Sequence, residues 1–292
     1  MATLECSLCA GLLLLALSGT AQAQSSRLRA MGAALLDDGS YLIANIPLDL
    51  QDIATSPLYI ASPNSPFRQP RFYLALGAAA ALWGGSFALD QTLHGGLRNL
   101  SHSDHDIMEN FSYTTLLSAL GLLYVDGLYT GNDRLRRYLL TGTEAAGMGV
   151  LFNLAIKAAF GRLRPAQTSS HLEFFHSPSS FNSRSFTSND MVIETAMATG
   201  LSEYYDNRWY MAAPAYSLVA LEGVTRLKNQ QWFSDVVAGG LLGWGTAKLL
   251  LRLHRQHALE PNRWRLVPIA APPPAMHSTA IAAPALGLAC RW

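Results

Sequence analysis

A basic surplus is missing from this chain, in which 21 Lys+Arg face 20 Asp+Glu for a formal net charge of +1. Nucleic-acid binding needs a basic excess gathered on one face, so that class of function is excluded and no nucleic-acid partner is expected. Cysteine is nearly absent, with three in 292 residues. Cys6 and Cys9 fall in the first ten positions and Cys290 lies at the far end, a distribution that supports neither an internal disulfide framework nor a cysteine metal cluster. The sequence also lacks an HExxH pair, a Gly-rich phosphate loop and any internal repeat, and its one C-x-x-C spacing, Cys6 to Cys9, lies in the N-terminal apolar stretch. Charged residues make up only 14%, against roughly 25% in an ordinary soluble domain, while half of the chain is hydrophobic. That balance excludes disorder and points to membrane contact.

At the N-terminus an apolar run from Leu8 to Leu17 leads to Ala21-Gln22-Ala23, an A-x-A cleavage pattern, so residues 1–23 read as a secretory signal. The run is preceded by Glu5 and by no Lys or Arg, which keeps an uncleaved anchor open as the alternative. Residues 24–71 form a lead-in dotted with Pro47, Pro57, Pro63, Pro66 and Pro70, which argue against a long helix and leave room for a short one around Leu48 to Ile53. Six apolar segments follow: Phe72 to Leu89, Phe111 to Tyr129, Arg137 to Ala159, Met191 to Tyr205, Trp209 to Val224 and Ser234 to His254. Their lengths predict helices rather than strands.

Phe72 to Leu89 approaches the roughly 20 apolar residues that a bilayer crossing requires. The other segments contain or end on Asp126, Glu144, Lys157, Glu194, Glu222 and Lys248, charges that lipid tolerates only where they face a polar cavity or one another. Two architectures therefore stay open, an exported soluble bundle and a membrane-integral bundle with a polar interior. Residues 259–292 form a Pro-rich tail in which Arg263 to Ala271 and Thr279 to Trp292 flank Pro272-Pro273-Pro274, as an extended segment or a hairpin.

Polar residues concentrate in three loops: Lys157 to Pro165 after the third helix, Arg184 to Asp190 before the fourth, and Thr225 to Asp235 between the fifth and sixth. In an up-and-down bundle these three places share one end by parity alone. Lys157, Arg162, Arg164, Arg184, Arg226 and Lys228 thus gather beside two helix N-termini, whose free N–H groups and dipole favour an anion. Arg162, Arg184 and Lys228 are expected to be boundary charges that stay in water or hold headgroups. Lys157, Arg164 and Arg226 have the spacing of a site.

That spacing carries a resemblance. Lys157, six residues, then Arg164-Pro165 is similar to the first motif, K-x6-R-P, of the type 2 phosphatidic acid phosphatase and vanadium haloperoxidase superfamily. Thr187-Ser188-Asn189-Asp190 resembles the second, P-S-G-H, with only the serine kept. Thr225-Arg226 followed by Trp232 to Asp235 and then Val236 to Gly239 resembles the third, S-R-x5-H-x3-D, and the likeness runs over roughly Asp49 to His254. Gly131 to Arg134 matches a Gly-Asn-Asp-Arg stretch of exported bacterial members.

The resemblance implies an all-α fold with a six-helix bundle core over residues 72–258, in a protein of the bacterial cell envelope. It assigns Lys157, Arg164, Ser188 and Arg226 to phosphate binding, Asp235 to orienting the nucleophile, and Asp190 to the acid's position. The nucleophilic histidine's place falls on Trp232 counted from Arg226 and on Gln231 counted back from Asp235, because the loop is one residue short. Both family histidines are thus replaced. Asp190 among three cations should stay ionised, repel a phosphate and pair with the arginines.

Two functional readings follow, beside a third in which the chain is a purely architectural membrane bundle. The first is a catalytically degenerate envelope protein with a residual anion pocket for a phosphate ester or phospholipid headgroup, at the membrane. The second is an active phosphomonoesterase or lipid phosphatase with a recruited histidine such as His176, or His171 in the same loop. No cofactor or metal is assigned. The cluster His102, Asp104, His105 and Asp106 has ligand-type residues, but an exposed polar loop accounts for it equally. Asp90, Asp126 and Glu144 are expected to serve packing or capping.

Overall fold

Each apolar segment becomes a helix in the computed structural model, which describes residues 21–55, 69–97, 102–176, 185–227 and 231–259. The leader ahead of residue 21, the tail beyond 259, Arg184 and Lys228 lie outside the described residues. The helices are α1 Ala21–Thr55, α2 Pro70–Ser86, α3 Asp90–Leu97, α4 His102–Thr130, α5 Asp133–Phe160, α6 Asn189–Tyr204, α7 Trp209–Arg226 and α8 Phe233–Leu259, with a 3-10 turn Phe87–Leu89 linking α2 to α3. There is no strand among the described residues. The expected six-helix core is present as α2, α4, α5, α6, α7 and α8, with boundaries within a few residues of the hydrophobic runs except at the polar start of α4 and end of α8.

Local chemistry explains the turns. Between α4 and α5 the chain needs a left-handed residue, supplied by Gly131 at φ +69°. Asn132 then caps α5 by accepting from the Leu135 N–H at 3.0 Å and donates through Nδ2 to the Tyr204 hydroxyl at 2.7 Å. Asp133 sits in the first turn, where the helix dipole favours an acid, and pairs with Arg136 at 2.9 Å. The Gly-Asn-Asp-Arg stretch thus acts as a turn and a cap. Pro70 occupies the first turn of α2, the one helical place where its missing N–H costs nothing.

The lead-in departs from expectation, because residues 21–55 form one 35-residue helix with Pro47 inside it. Tertiary contacts outweigh the local penalty of proline here. Before Pro47, Asp38 is buried and accepts from Arg136 Nε and the Tyr124 hydroxyl, each at 2.8 Å. After it, Asp49 meets His254 of α8 at 2.5 Å. The sequence 102–106 also departs from the expected loop, since its backbone forms the start of α4.

Helix α6 lies at the centre, packed against α5, α7 and α8. It is buried on nearly every side: Val192, Glu194, Ala196, Ala198, Thr199 and Ser202 are all inaccessible. Small residues allow the close approach. A Cβ at Gly243 of α8 would overlap the Val192 carbonyl, and one at Gly239 would stand 2.6 Å from the Ser188 carbonyl. Gly243→Ala is therefore expected to lower stability by roughly 1–3 kcal/mol through overpacking, read as a fall in the thermal unfolding midpoint. An unchanged midpoint would mean that α8 can move off α6 at no cost.

Three stretches, Pro70–Gly95, Asp133–Phe160 and Phe233–Arg255, are long and apolar enough to cross a membrane by length and composition. Only 6% of the apolar window in the first is buried within the protein, leaving Tyr73, Leu74, Leu76 and Leu82 exposed. An apolar surface of that extent needs cover other than water. The outer faces of α4 and α5 add Leu122, Val125, Leu151 and Leu154. These exposed apolar faces suit contact with a membrane.

Candidate functional site

Helix α5 ends at Gly161, whose φ of +46° is left-handed and whose N–H closes on the Lys157 carbonyl at 3.1 Å. A Cβ there would overlap the His176 carbonyl, so glycine alone allows the chain to turn at once into the interior. The next residue, Arg162, is completely buried. Its Nη1 donates to Ser234 Oγ at 2.7 Å and to Asp235 Oδ1, and its Nη2 donates to Asp90 Oδ2 at 2.7 Å. Both Nε and Nη2 also reach the His171 carbonyl. The rings of Phe87, Phe174 and Trp232 surround the guanidinium at 5.1, 4.8 and 5.5 Å.

The expectation that Arg162 is a boundary charge is thereby overturned. A guanidinium at this depth holds two buried carboxylates that have no water to turn to. Asp90 was expected to serve packing or capping. It accepts from the Ser234 N–H and Oγ, each at 2.7 Å, and so fixes the first turn of α8 as well as Arg162.

Asp235 is equally committed. Its Oδ1 faces Arg162, while its Oδ2 accepts from Ser185 Oγ at 2.5 Å and from the Trp232 N–H at 3.1 Å. Trp232 is 1% exposed and donates its indole N–H to the Leu163 carbonyl at 3.0 Å. Gln231 is also buried, its N–H donating to the Arg226 carbonyl at 3.1 Å. Neither side chain can accept a phosphoryl group on a ring nitrogen, and no histidine touches Asp235 among the described residues.

The start of α6 is clamped from α5. Asn153 donates to the Thr187 carbonyl at 3.0 Å and accepts from its N–H at 3.3 Å. Ser188 is buried and caps α6, its Oγ accepting from the Met191 N–H at 3.3 Å, while its own N–H donates to the Asp235 carbonyl at 3.1 Å. Lys157 is buried and points Nζ at the Ser185 carbonyl, 3.5 Å away. The ends of α5 and α7 and the starts of α6 and α8 thus share one end of the bundle, as the parity argument requires.

Arg226, in the last turn of α7, pairs with Glu222 at 2.5 Å and with Asp190 of α6 at 3.2 Å. Arg164 lies within electrostatic reach of Asp235, Asp190 and Arg226. Burial pushes its guanidinium below the ordinary arginine value, and the attraction of Asp235 and Asp190 partly restores it. Among the described residues at this end, Lys157, Arg162, Arg164 and Arg226 face Asp90, Asp190, Glu222 and Asp235, and buried Glu194 lies within electrostatic reach of Asp190, Glu222 and Arg226. The cluster carries no surplus positive charge, so an entering anion competes with these acids for the same cations.

The structure brings together Lys157, Arg164, Ser188, Asp190, Arg226, Gln231, Trp232 and Asp235, the residues singled out from sequence. It adds Arg162, Asp90, Ser185, Ser234, Asn153 and Glu222. The loop histidines separate. His176 is partly exposed and stands 3.6 Å from Glu173, whereas the rings of His94 and His171 lie 5.5 and 6.1 Å from the ring of Trp232.

Residues 139–258, from within α5 to the end of α8, match the model of the PAP2 superfamily. Among solved structures, the chain is similar to the first transmembrane PAP2 type phosphatidylglycerolphosphate phosphatase from Bacillus subtilis. The identity is 19% and the TM-score 0.40, with 66% of this chain and 96% of that one covered. No curated protein matches the chain.

Proposed function

We propose that this chain, whose residues 139–258 match the PAP2 superfamily, is an exported cell-envelope protein in which the superfamily's phosphate pocket persists without its covalent chemistry. It acts by binding at phospholipid headgroups rather than by hydrolysing them. One observation carries the reading: Asp235, the residue that the resemblance makes the partner of a histidine nucleophile, is fully engaged by Arg162, Ser185 and the Trp232 N–H. A guanidinium has no lone pair with which to attack phosphorus, so the covalent step has no agent at this position. Asp190, at the acid's position, is paired with Arg226 at 3.2 Å.

What remains is Lys157, Arg164 and Arg226 beside the N-terminus of α6, capped by Ser188. These groups suit a phosphate oxygen, and Asp190 competes with it for the same cations.

A second reading, an active phosphatase with a recruited histidine, is favoured by a single observation. The Nδ1 atoms of His94 and His171 are buried without a hydrogen-bond partner beside Trp232. The test measures turnover of an aryl phosphate and of phosphatidic acid by the purified full chain across a broad pH range, with Arg164→Ala as the background control. The expected result is no turnover above that control and no phosphohistidine. Turnover lost in Arg164→Ala and in His171→Ala would overturn the degenerate reading and establish the second.

A further inference from the structure

At the opposite end of the bundle, about 28 Å along α8 from Asp235 at 1.5 Å per residue, a second buried polar cluster joins three helices. Asp49 of α1, Glu144 of α5 and His254 of α8 each offer one ligand-type atom, and these atoms all lie within 4.8 Å of one another. We propose that this trio is a divalent cation site of the zinc type, which ties α1 to the helical core.

The histidine is set up for the role. Its Nδ1 lies 2.7 Å from the Tyr41 hydroxyl and 3.1 Å from Thr141 Oγ1. The Thr141 hydroxyl proton is already donated to the Arg137 carbonyl at 2.8 Å, so toward the ring Thr141 Oγ1 acts as an acceptor. Nδ1 is thus held by the Tyr41 and Thr141 hydroxyls while Nε2 faces the two carboxylates, so that an ion taken up at Nε2 leaves the ring proton on Nδ1. Metal-binding histidines show this arrangement, in which one nitrogen is held by an outer partner and the other is presented to the ion.

The carboxylates supply the second argument. Glu144 is 6% exposed, and neither of its oxygens accepts a hydrogen bond of regular geometry. Its Oε2 stands 3.5 Å from His254 Nε2, which itself is 2.5 Å from Asp49 Oδ2. As ligands, two carboxylates and one imidazole supply two negative charges, which a divalent cation cancels. The nearby Arg137 does not serve, since it pairs with Asp37 at 2.5 Å and lies over the Tyr41 ring. Ligands of one nitrogen and two carboxylate oxygens suit zinc, with water completing a tetrahedron. Binding opens the Nε2 to Oδ2 separation to about 3.3 Å, the edge of a tetrahedron with bonds near 2.0 Å.

The test uses the untagged full chain, stripped with EDTA and titrated with Zn2+. Expected are about one Zn2+ per chain, a higher thermal midpoint in Zn2+ than in EDTA, and the absorption of tetrahedral Co2+ when cobalt replaces zinc. Glu144→Gln, close to isosteric, should weaken Zn2+ binding at least about tenfold, and Arg164→Ala should leave it unchanged. Wild-type protein that takes up no Zn2+ and shows the same midpoint in EDTA overturns the proposal and leaves an imidazole sharing protons with two acids. Uptake that survives both Glu144→Gln and His254→Gln places the ion elsewhere and overturns it equally. The Co2+ spectrum needs no variant, so the proposal stays falsifiable even where a substitution fails to fold.

Discussion

Arg162→Met is expected to lower stability by about 3–5 kcal/mol, the cost of leaving buried acids without their cation. Asp90 and Asp235 are both inaccessible to solvent, and Arg162 is the charged partner common to the two. Methionine fills much of the volume but supplies no donor, so both carboxylates lose a charged hydrogen bond in a place that water does not reach. The measurement is reversible unfolding of the purified chain against the wild type. A combined variant, Arg162→Met with Asp90→Asn and Asp235→Asn, should regain a large part of the loss, because neutral groups of the same shape remove the uncompensated charge. A single variant as stable as the wild type would show that water reaches the cluster, and the account of a sealed ion network would fail. The expected coupling between the three positions follows from their shared contacts.

The helices were legible because apolar run length and polar punctuation act locally. The third-motif loop was legible for the same reason, since Arg226, Trp232 and Asp235 are near in sequence. Parity alone places Lys157, Arg164, Ser188 and Arg226 at one end. The same parity puts the end of the first apolar helix there too, which makes Asp90 a visible candidate that local motif reading passes over. Arg162 was harder to place. A basic residue just past an apolar helix reads as a boundary charge, and only the left-handed turn at Gly161 and the distant partner Asp90 direct it inward. The long helix through Pro47 was not legible, because what holds it are contacts to Arg136 and His254, roughly a hundred and two hundred residues away. Local propensity speaks for the chain alone, whereas those contacts belong to the folded bundle.

Asp190→Asn should raise the affinity for inorganic phosphate about tenfold, measured by calorimetry on the full chain at fixed ionic strength. The carboxylate of Asp190 sits 3.2 Å from Arg226 Nε and is one-third exposed, so it acts on the site through a partly screened field. Two unit charges near 4 Å at an effective dielectric of about 20 interact by roughly 4 kcal/mol, and screening at the pocket mouth reduces that toward the 1.4 kcal/mol of a tenfold change. Asparagine keeps the shape and can still hydrogen-bond Arg226, yet it removes the repulsion between the acid and an incoming anion. Arg226 retains Glu222 as a partner, which keeps the last turn of α7 in place. Arg164→Ala in the same background should abolish the gain, because Arg164 is the cation that shares Asp190 with Arg226. Turnover should stay absent in Asp190→Asn, since Asp235 remains bound to Arg162 and neither Gln231 nor Trp232 offers a nucleophilic ring nitrogen. Equal phosphate affinity in wild type and variant would show that Asp190 does not gate the pocket. In that case the internal balance of charge, rather than one competing acid, is what keeps anions out.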